Sequence, residues 1–168
     1  CYTEMMIERL RRGKKAEDHL CPYCRELDGC SDAEKVRLTK KLMANGNANA
    51  FYVHAGRFVE GTFGMRQDWT KATQLWLKAG ELGCGDAYLN LGWSYCNGRG
   101  VNRDEKKAKH FYELAAMKGD VNARHWLGLF EEEDHRAYKH FMLAAKVGYE
   151  ISLGKVKEGY MRGFVTKD

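Results

Sequence analysis

Three alanines, each followed at fixed distances by the same kinds of residue, constrain this chain more than any other feature of it. Ala72 is followed by Trp76 and Ala79, Ala108 by Tyr112 and Ala115, and Ala137 by Phe141 and Ala144. Each trio sets an aromatic four positions, and a second alanine seven positions, after the first. At 3.6 residues per turn those positions share one helical face. Gly83, Gly119 and Gly148 each stand four residues past the last alanine, where a helix ends on a left-handed residue. A companion series, Ala50, Ala87 and Ala123, recurs at intervals of 37 and 36 residues. Repetition at such a period marks stacked supersecondary units, and it is sought before any local assignment.

Local signals fill in each unit. Asp68 and Asp104 precede the alanine–aromatic–alanine segments, where a carboxylate accepts from free helix N–H groups and meets the positive end of the dipole. The first helix of a unit reads from about Ala87 to Asn97, with Leu91, Gly92 and Tyr95 toward its partner, and Trp126-Leu127-Gly128 repeats that step. Gly98, Gly100 and Val101, and earlier Gly61 and Gly64, suit a tight reversal that needs positive φ. Each unit is therefore a helix–turn–helix hairpin. A single proline in the chain agrees, since sheet folds of this size use several in their turns.

The third unit is shorter. Ala123 to Ala137 spans 14 residues where Ala87 to Ala108 spans 21, so about two helical turns are missing. Glu131 to Asp134 fill that junction and read as a solvated acidic turn or helix start. A fourth unit opens at Ser152, with Tyr160 and Gly163 matching Tyr95 and Gly98. Its unpaired helix is expected to expose an apolar edge. The chain starts at Cys1 and stops inside this pattern, and we expect it to be a piece of a longer protein. Ser31 with Glu34 three residues on is a capping box. It opens a helix to about Ala44, halted at Asn45-Gly46, that links to and caps the first repeat.

The stretch Ala87-Tyr-Leu-Asn-Leu-Gly-Trp-Ser-Tyr-Cys-Asn-Gly-Arg-Gly-Val101, then Asp104 to Ala108 and Tyr112 to Gly119, resembles the Sel-1-like repeats, relatives of the tetratricopeptide repeat. The unit from Ala50 to Gly83 is similar, with one extra residue expected around His54 to Gly56 and another in the inter-helix turn. The resemblance covers residues 48–168, divided as 48–83, 84–119, 120–148 and a partial unit 149–168. It implies an all-α, right-handed α-solenoid acting as a non-enzymatic scaffold or adaptor with no cofactor of its own. Binding is expected through the first helices, where Tyr88, Asn90, Trp93 and Arg124 are candidates to face an unidentified protein partner.

Residues 1–30 pose a separate question. Cys21-Pro-Tyr-Cys24 has three readings. A redox dithiol needs a βαβ context and a later cis-proline, which a chain with only Pro22 lacks. Two thiolates two residues apart also suit zinc, and a degraded finger with free thiols is the third reading. A four-thiolate site from Cys1, Cys21, Cys24 and Cys30, with or without His19, is allowed by the count alone. The motif, followed by Arg25, is similar to the end of a RING-type zinc finger. That resemblance makes Cys21 and Cys24 the last ligand pair and Cys1 the preceding ligand, after which a helix runs from Tyr2 to about Arg12. It makes Arg25 a contact for a ubiquitin-conjugating enzyme. Five upstream ligands are absent, so neither zinc site closes within this chain. The rival function is the substrate-recruiting part of a RING-type ubiquitin ligase.

Composition narrows the remaining classes. Net charge is +5 from 28 basic and 23 acidic residues, with a pI near 8.8, and it is spread along the chain, so nothing recommends nucleic acid. Apolar runs are too short to span a membrane, and no cationic start followed by an apolar core opens the sequence. Six cysteines without such a leader fit a reducing compartment, cytoplasm or nucleus. The basic run Arg9 to Lys15 reads as a solvated helix end or a nuclear address, and Cys84 and Cys96 as small packing residues. His110, His125, His135 and His140 lack ligand spacing. No nucleophile elbow, P-loop or dinucleotide fingerprint is present.

Overall fold

The computed structural model describes residues 31–131 and 135–164, and every regular element among them is a helix. In order these are α1 (Asp32–Ala44), α2 (Ala48–Glu60), α3 (Trp69–Glu81), α4 (Gly85–Asn97), α5 (Glu105–Met117), α6 (Val121–Phe130), α7 (His135–Lys146) and α8 (Glu150–Met161). The extensive helix–helix contacts run between consecutive helices. The chain is thus a linear stack of hairpins, α2/α3, α4/α5 and α6/α7, with α1 against the first and α8 against the last. This is an α-solenoid. Cys1, Cys21 and Cys24, Arg25, the basic run Arg9 to Lys15 and most of the acidic run lie outside the described residues.

The helix starts follow from single side chains. The Oδ1 of Asp68 accepts from Lys71 N at 2.9 Å, that of Asp104 from Lys107 N at 3.0 Å and that of Asp120 from Ala123 N at 2.8 Å. Asn47 serves Ala50 N in the same way, and Ser31 Oγ serves Glu34 N. Each satisfies one of the N–H groups a helix leaves unpaired at its start.

The helix ends repeat one geometry. Gly83 takes φ +100°, and its N–H reaches Gly80 O while Cys84 N–H reaches Ala79 O. That paired closure is the Schellman motif. Asp120 N–H to Ala115 O and Tyr149 N–H to Ala144 O close the next two units identically.

Packing is small against large. The ring of Tyr112, fully buried, lies over Gly92, where a Cβ would sit 2.7 Å from it. Phe141 covers Gly128 likewise, and Ala55 holds the corresponding position toward the first hairpin's Trp76. Ala50, Ala87 and Ala123 are buried, and Ser152 takes the same place in α8. Along the stack the core divides into three clusters, centred on Trp76, Tyr112 and Phe141.

Two expectations require correction. The first unit does not hold two extra residues: α2 and α4 each have 13, so the single insertion lies in the turn. Gly61-Thr62-Phe63-Gly64 stands where the second unit has Gly98-Arg99-Gly100, and the inserted turn brings Phe63 to φ +57°. Nor is Glu131 a solvated turn residue. Its side chain is 13% exposed, held by Lys109 Nζ at 2.7 Å from the preceding hairpin and by Arg136 at 3.7 Å. The shortened α6 ends one turn early and brings a carboxylate to the place that Tyr95 occupies in α4.

Candidate interaction surface

Grooves open on the stack, and two of them are lined by described residues. The first, about 370 Å³, crosses α2 and α4 and has Trp76 of α3 in its wall. Tyr52, Val53 and Gly56 lie along it on successive turns of α2, and Asn90 faces them from α4. Its volume falls in the range of ligand sites, roughly 300–1,000 Å³. Partial burial pushes the Tyr52 phenol up, and a hydrogen bond with the Asn90 side chain opposes that. Phe63 also lines the groove, its ring 4.5 Å from the Arg57 guanidinium. A Cβ on Gly56 would meet nothing within 4 Å. The groove is open there because α2 carries no side chain at that position.

The second groove, about 400 Å³, lies between α5 and α7 over α6. Leu114 and Leu127 give it an apolar lining, exposed Met117 stands at its rim, and His110, Glu113, Arg124 and His140 complete it. The Arg124 Nη2 donates to Ala116 O at 3.4 Å. His140 Nδ1 is buried with no hydrogen-bond partner. Burial holds this imidazole below its usual pKa, with Glu131 opposing and Arg124 reinforcing.

Of the four residues expected to face a partner, Asn90 and Arg124 line grooves and the other two serve packing. Tyr88 fills the space above Gly80 and stacks near Phe111, centroids 6.1 Å apart. Trp93 stands 5.5 Å from Trp69. Cys84 is buried at the start of α4, where burial pushes its thiol up, and Cys96 packs beside the Tyr112 cluster. Neither is disulfide-bonded. Among the described residues no group of three His, Cys, Asp or Glu side chains is arranged to hold a metal ion. No helix there is long and apolar enough to cross a membrane.

Sequence spacing alone does not reveal the polar surroundings of three residues. His54 is buried in α2 at the register position of Leu91, with Nδ1 unpartnered. His125 Nδ1 lies 2.9 Å from Ser152 Oγ, both buried, which joins α6 to α8. Trp76, 4% exposed, has an indole N–H with no acceptor. The alanine–aromatic–alanine signal locates Trp76 but carries no information about that donor. At the end of the stack Ile151, Leu153, Tyr160 and Met161 of α8 are exposed, the apolar edge expected of an unpaired first helix.

The Sel1 repeat family model matches residues 56–84 and 85–120. Among curated protein sequences no match is found. The chain is similar to the solved Sel1 repeat protein from Oxalobacter formigenes, at 24% identity and TM-score 0.71, over 82% of this chain and 58% of that one. It is similar also to c5321, a protective antigen of uropathogenic Escherichia coli displaying an SLR fold (21%, TM-score 0.77, 96% of this chain and 36% of that one). Helicobacter pylori cysteine rich protein B matches over 56% of this chain and 70% of its own, at 26% identity and TM-score 0.54. The chain thus spans 58% and 36% of the first two proteins. The likeness to the family model is confined to residues 56–84 and 85–120, and the solved structures show the fold of the stack.

Proposed function

We propose that this chain is a non-catalytic protein-interaction scaffold that holds a partner against the open grooves of its hairpin stack. The observation that carries this reading is the pair of grooves, each spanning more than one hairpin, the first lined by Tyr52, Arg57, Phe63 and Asn90 and the second by His110, Arg124 and His140. Aromatic and arginine side chains on such surfaces are the ones that contribute most to protein–protein affinity. In-cell photo-crosslinking tests it. A photoreactive phenylalanine analogue at Glu60 or Met117, on the groove rims, is expected to trap discrete proteins, and one at the exposed Lys106 to trap none. Equal yields at all three positions would overturn the scaffold reading.

The proposal extends to residues 1–30 as the end of a RING-type zinc finger in a longer protein, with Cys1, Cys21 and Cys24 among its zinc ligands. Residues 31–47 are its link to the repeats at 48–168. Thiolate ligands fit a cytoplasmic or nuclear protein. A full ligand set binds zinc by roughly 10–16 kcal/mol, so the longer protein is expected to hold stoichiometric zinc that is lost with Cys21→Ser. Metal content unchanged by that substitution removes the finger.

Arg25, directly after Cys24, favours a second reading as the substrate-recruiting part of a ubiquitin ligase. Autoubiquitylation that disappears with Arg25→Ala supports it, and activity indifferent to that change rejects it.

A further inference from the structure

The repeat makes one junction between hairpins comparable with the next, and the two junctions of this stack have opposite polarity. Where the second hairpin packs on the first, Tyr88 follows Ala87 of α4 and Phe111 stands three residues past Ala108 of α5. Their rings lie 6.1 Å apart, and Tyr95 adds a third ring 5.4 Å from Phe111. Where the third hairpin packs on the second, the positions of Tyr88, Phe111 and Tyr95 hold Arg124, His140 and Glu131. Stacked rings have become ionisable groups.

The surface beside each junction changes the other way. Lys78 and Glu81 of α3, six and nine residues past Ala72, form an ion pair at 3.2 Å. Leu114 and Met117 of α5 hold the same positions past Ala108, and Met117 is 74% exposed. Both inversions meet in the groove of about 400 Å³ over α6, which Arg124, His140, Leu114 and Met117 line. The first junction shows that stacking is served by rings inside and an ion pair outside.

Charge indicates what the groove takes. Glu131 is answered within the fold by Lys109 at 2.7 Å and Arg136 at 3.7 Å. Arg124 is half-buried, donates one long hydrogen bond of 3.4 Å to Ala116 O, and forms no ion pair with an acid among the described residues. Its guanidinium carries five donors in a fork that matches a carboxylate. Taking such a cation partly out of water without an acceptor is costly. His140 Nδ1 is buried, so the anion contact falls to Arg124. Glu113 also lines the groove and opposes a second negative charge there.

We propose that this groove binds a segment of a partner protein that carries one Asp or Glu beside an apolar residue. The carboxylate accepts from Arg124, and the apolar side chain covers Leu114 and Met117. A single carboxylate matches Arg124 in the presence of Glu113, whereas a phosphate brings a charge of about −1.5 to −2 and meets more repulsion. A small free acid leaves Met117 uncovered. The inference rests on the scaffold reading and narrows it to one groove and one kind of segment.

The test uses the full chain of 168 residues and a phage-displayed random dodecapeptide library, with the best enriched sequence synthesised as the probe. Enriched sequences are expected to carry an Asp or Glu next to Leu, Ile, Met or Phe. Arg124→Gln should weaken the probe about tenfold or more, the loss that goes with a hydrogen bond to a charged group. The probe with its acid changed to the amide should bind the parent and Arg124→Gln alike, which assigns the loss to that contact rather than to folding. Met117→Gln, at an exposed position, should weaken the probe several-fold with Tm unchanged. Arg124→Tyr with His140→Phe installs the aromatic pair of the first junction, and should keep its Tm and lose the probe. Enriched sequences without an acid, or an acidic probe indifferent to Arg124→Gln, overturn the proposal. Inorganic phosphate that binds through Arg124 while no peptide is enriched overturns it too. Failure of the groove with productive crosslinks at Glu60 leaves the scaffold reading standing, and failure with no crosslinks at Glu60 or Met117 rejects both.

Discussion

Replacing Gly92 with alanine adds one carbon where the structure has no room for it. The new Cβ would lie 2.7 Å from both Cδ1 and Cε1 of Tyr112. That ring is fully buried, stacked 5.9 Å from Trp126 and tilted 5.7 Å from Phe130. Overpacking of this kind costs about 1–3 kcal/mol. Alanine in a helix interior returns about 1 kcal/mol relative to glycine. The net expectation for Gly92→Ala is a loss of about 1 kcal/mol.

Gly56→Ala provides the internal control. It sits in α2 with nothing within 4 Å of the added carbon, so it is expected to gain about 0.5–1 kcal/mol from propensity alone. The two variants should differ by about 2 kcal/mol. With a urea slope of about 2 kcal/mol per molar, their midpoints should separate by about 1 M. Urea unfolding followed by circular dichroism reads this directly. In a Tyr112→Ala background the Gly92→Ala penalty should vanish, a coupling of about 1–3 kcal/mol. If Gly92→Ala is as stable as Gly56→Ala, close approach of small and aromatic residues is not what holds the hairpins together.

Three other outcomes follow from buried polar atoms. Tyr112→Phe removes a buried hydroxyl that has no hydrogen-bond partner, so stability should rise by about 1 kcal/mol, read from the urea midpoint. Ser152→Ala restores the alanine of the other units but strands His125 Nδ1, so it should cost about 1–3 kcal/mol. Adding His125→Leu should recover most of that loss. Burial first, with nearby cations second, lowers the pKa of His54 and of His125, and burial lowers that of His140. With folded values below the unfolded one, the unfolded chain binds more protons between them. Stability is then complete above about pH 6.5 and falls as acid is added, by about 1.4 kcal/mol per pH unit for each histidine carrying a full proton difference. Tm measured from pH 7.5 to about 5.5 should drop, and a variant lacking all three imidazoles should show a flatter profile.

The hairpins were legible because their signals are local. Asp104 caps a helix three residues away, Gly119 closes one through its own φ, and Ala108, Tyr112 and Ala115 share a face by helical period alone. What stayed hidden depends on distance in the chain. Ser152 reads as a small residue at an alanine position, and only the fold brings its hydroxyl to His125, 27 residues earlier. Glu131 belongs to an acidic run that suggests solvent, yet the early end of α6 turns it toward Lys109 of another hairpin. The insertion in the first turn was legible as an extra length, but which residue would bear positive φ was not. Local sequence names glycine for such a position, and Phe63 has glycine only beside it, at Gly64.

These hidden cases share a cause that bears on function. A repeat imposes the same contacts on every unit, so any residue that keeps the pattern is explained by stacking and carries little information about a partner. Gly92 and Gly128 face rings of the following helices and are accounted for by that contact. Phe63, Gly56 and the Trp76 N–H are not required by the stack. The second hairpin turns without a residue like Phe63, a side chain at Gly56 would disturb nothing, and a phenylalanine would fill the Trp76 position as Phe141 does in the third unit. Phe63 and Gly56 both line one groove of about 370 Å³, and packing requires neither of them there.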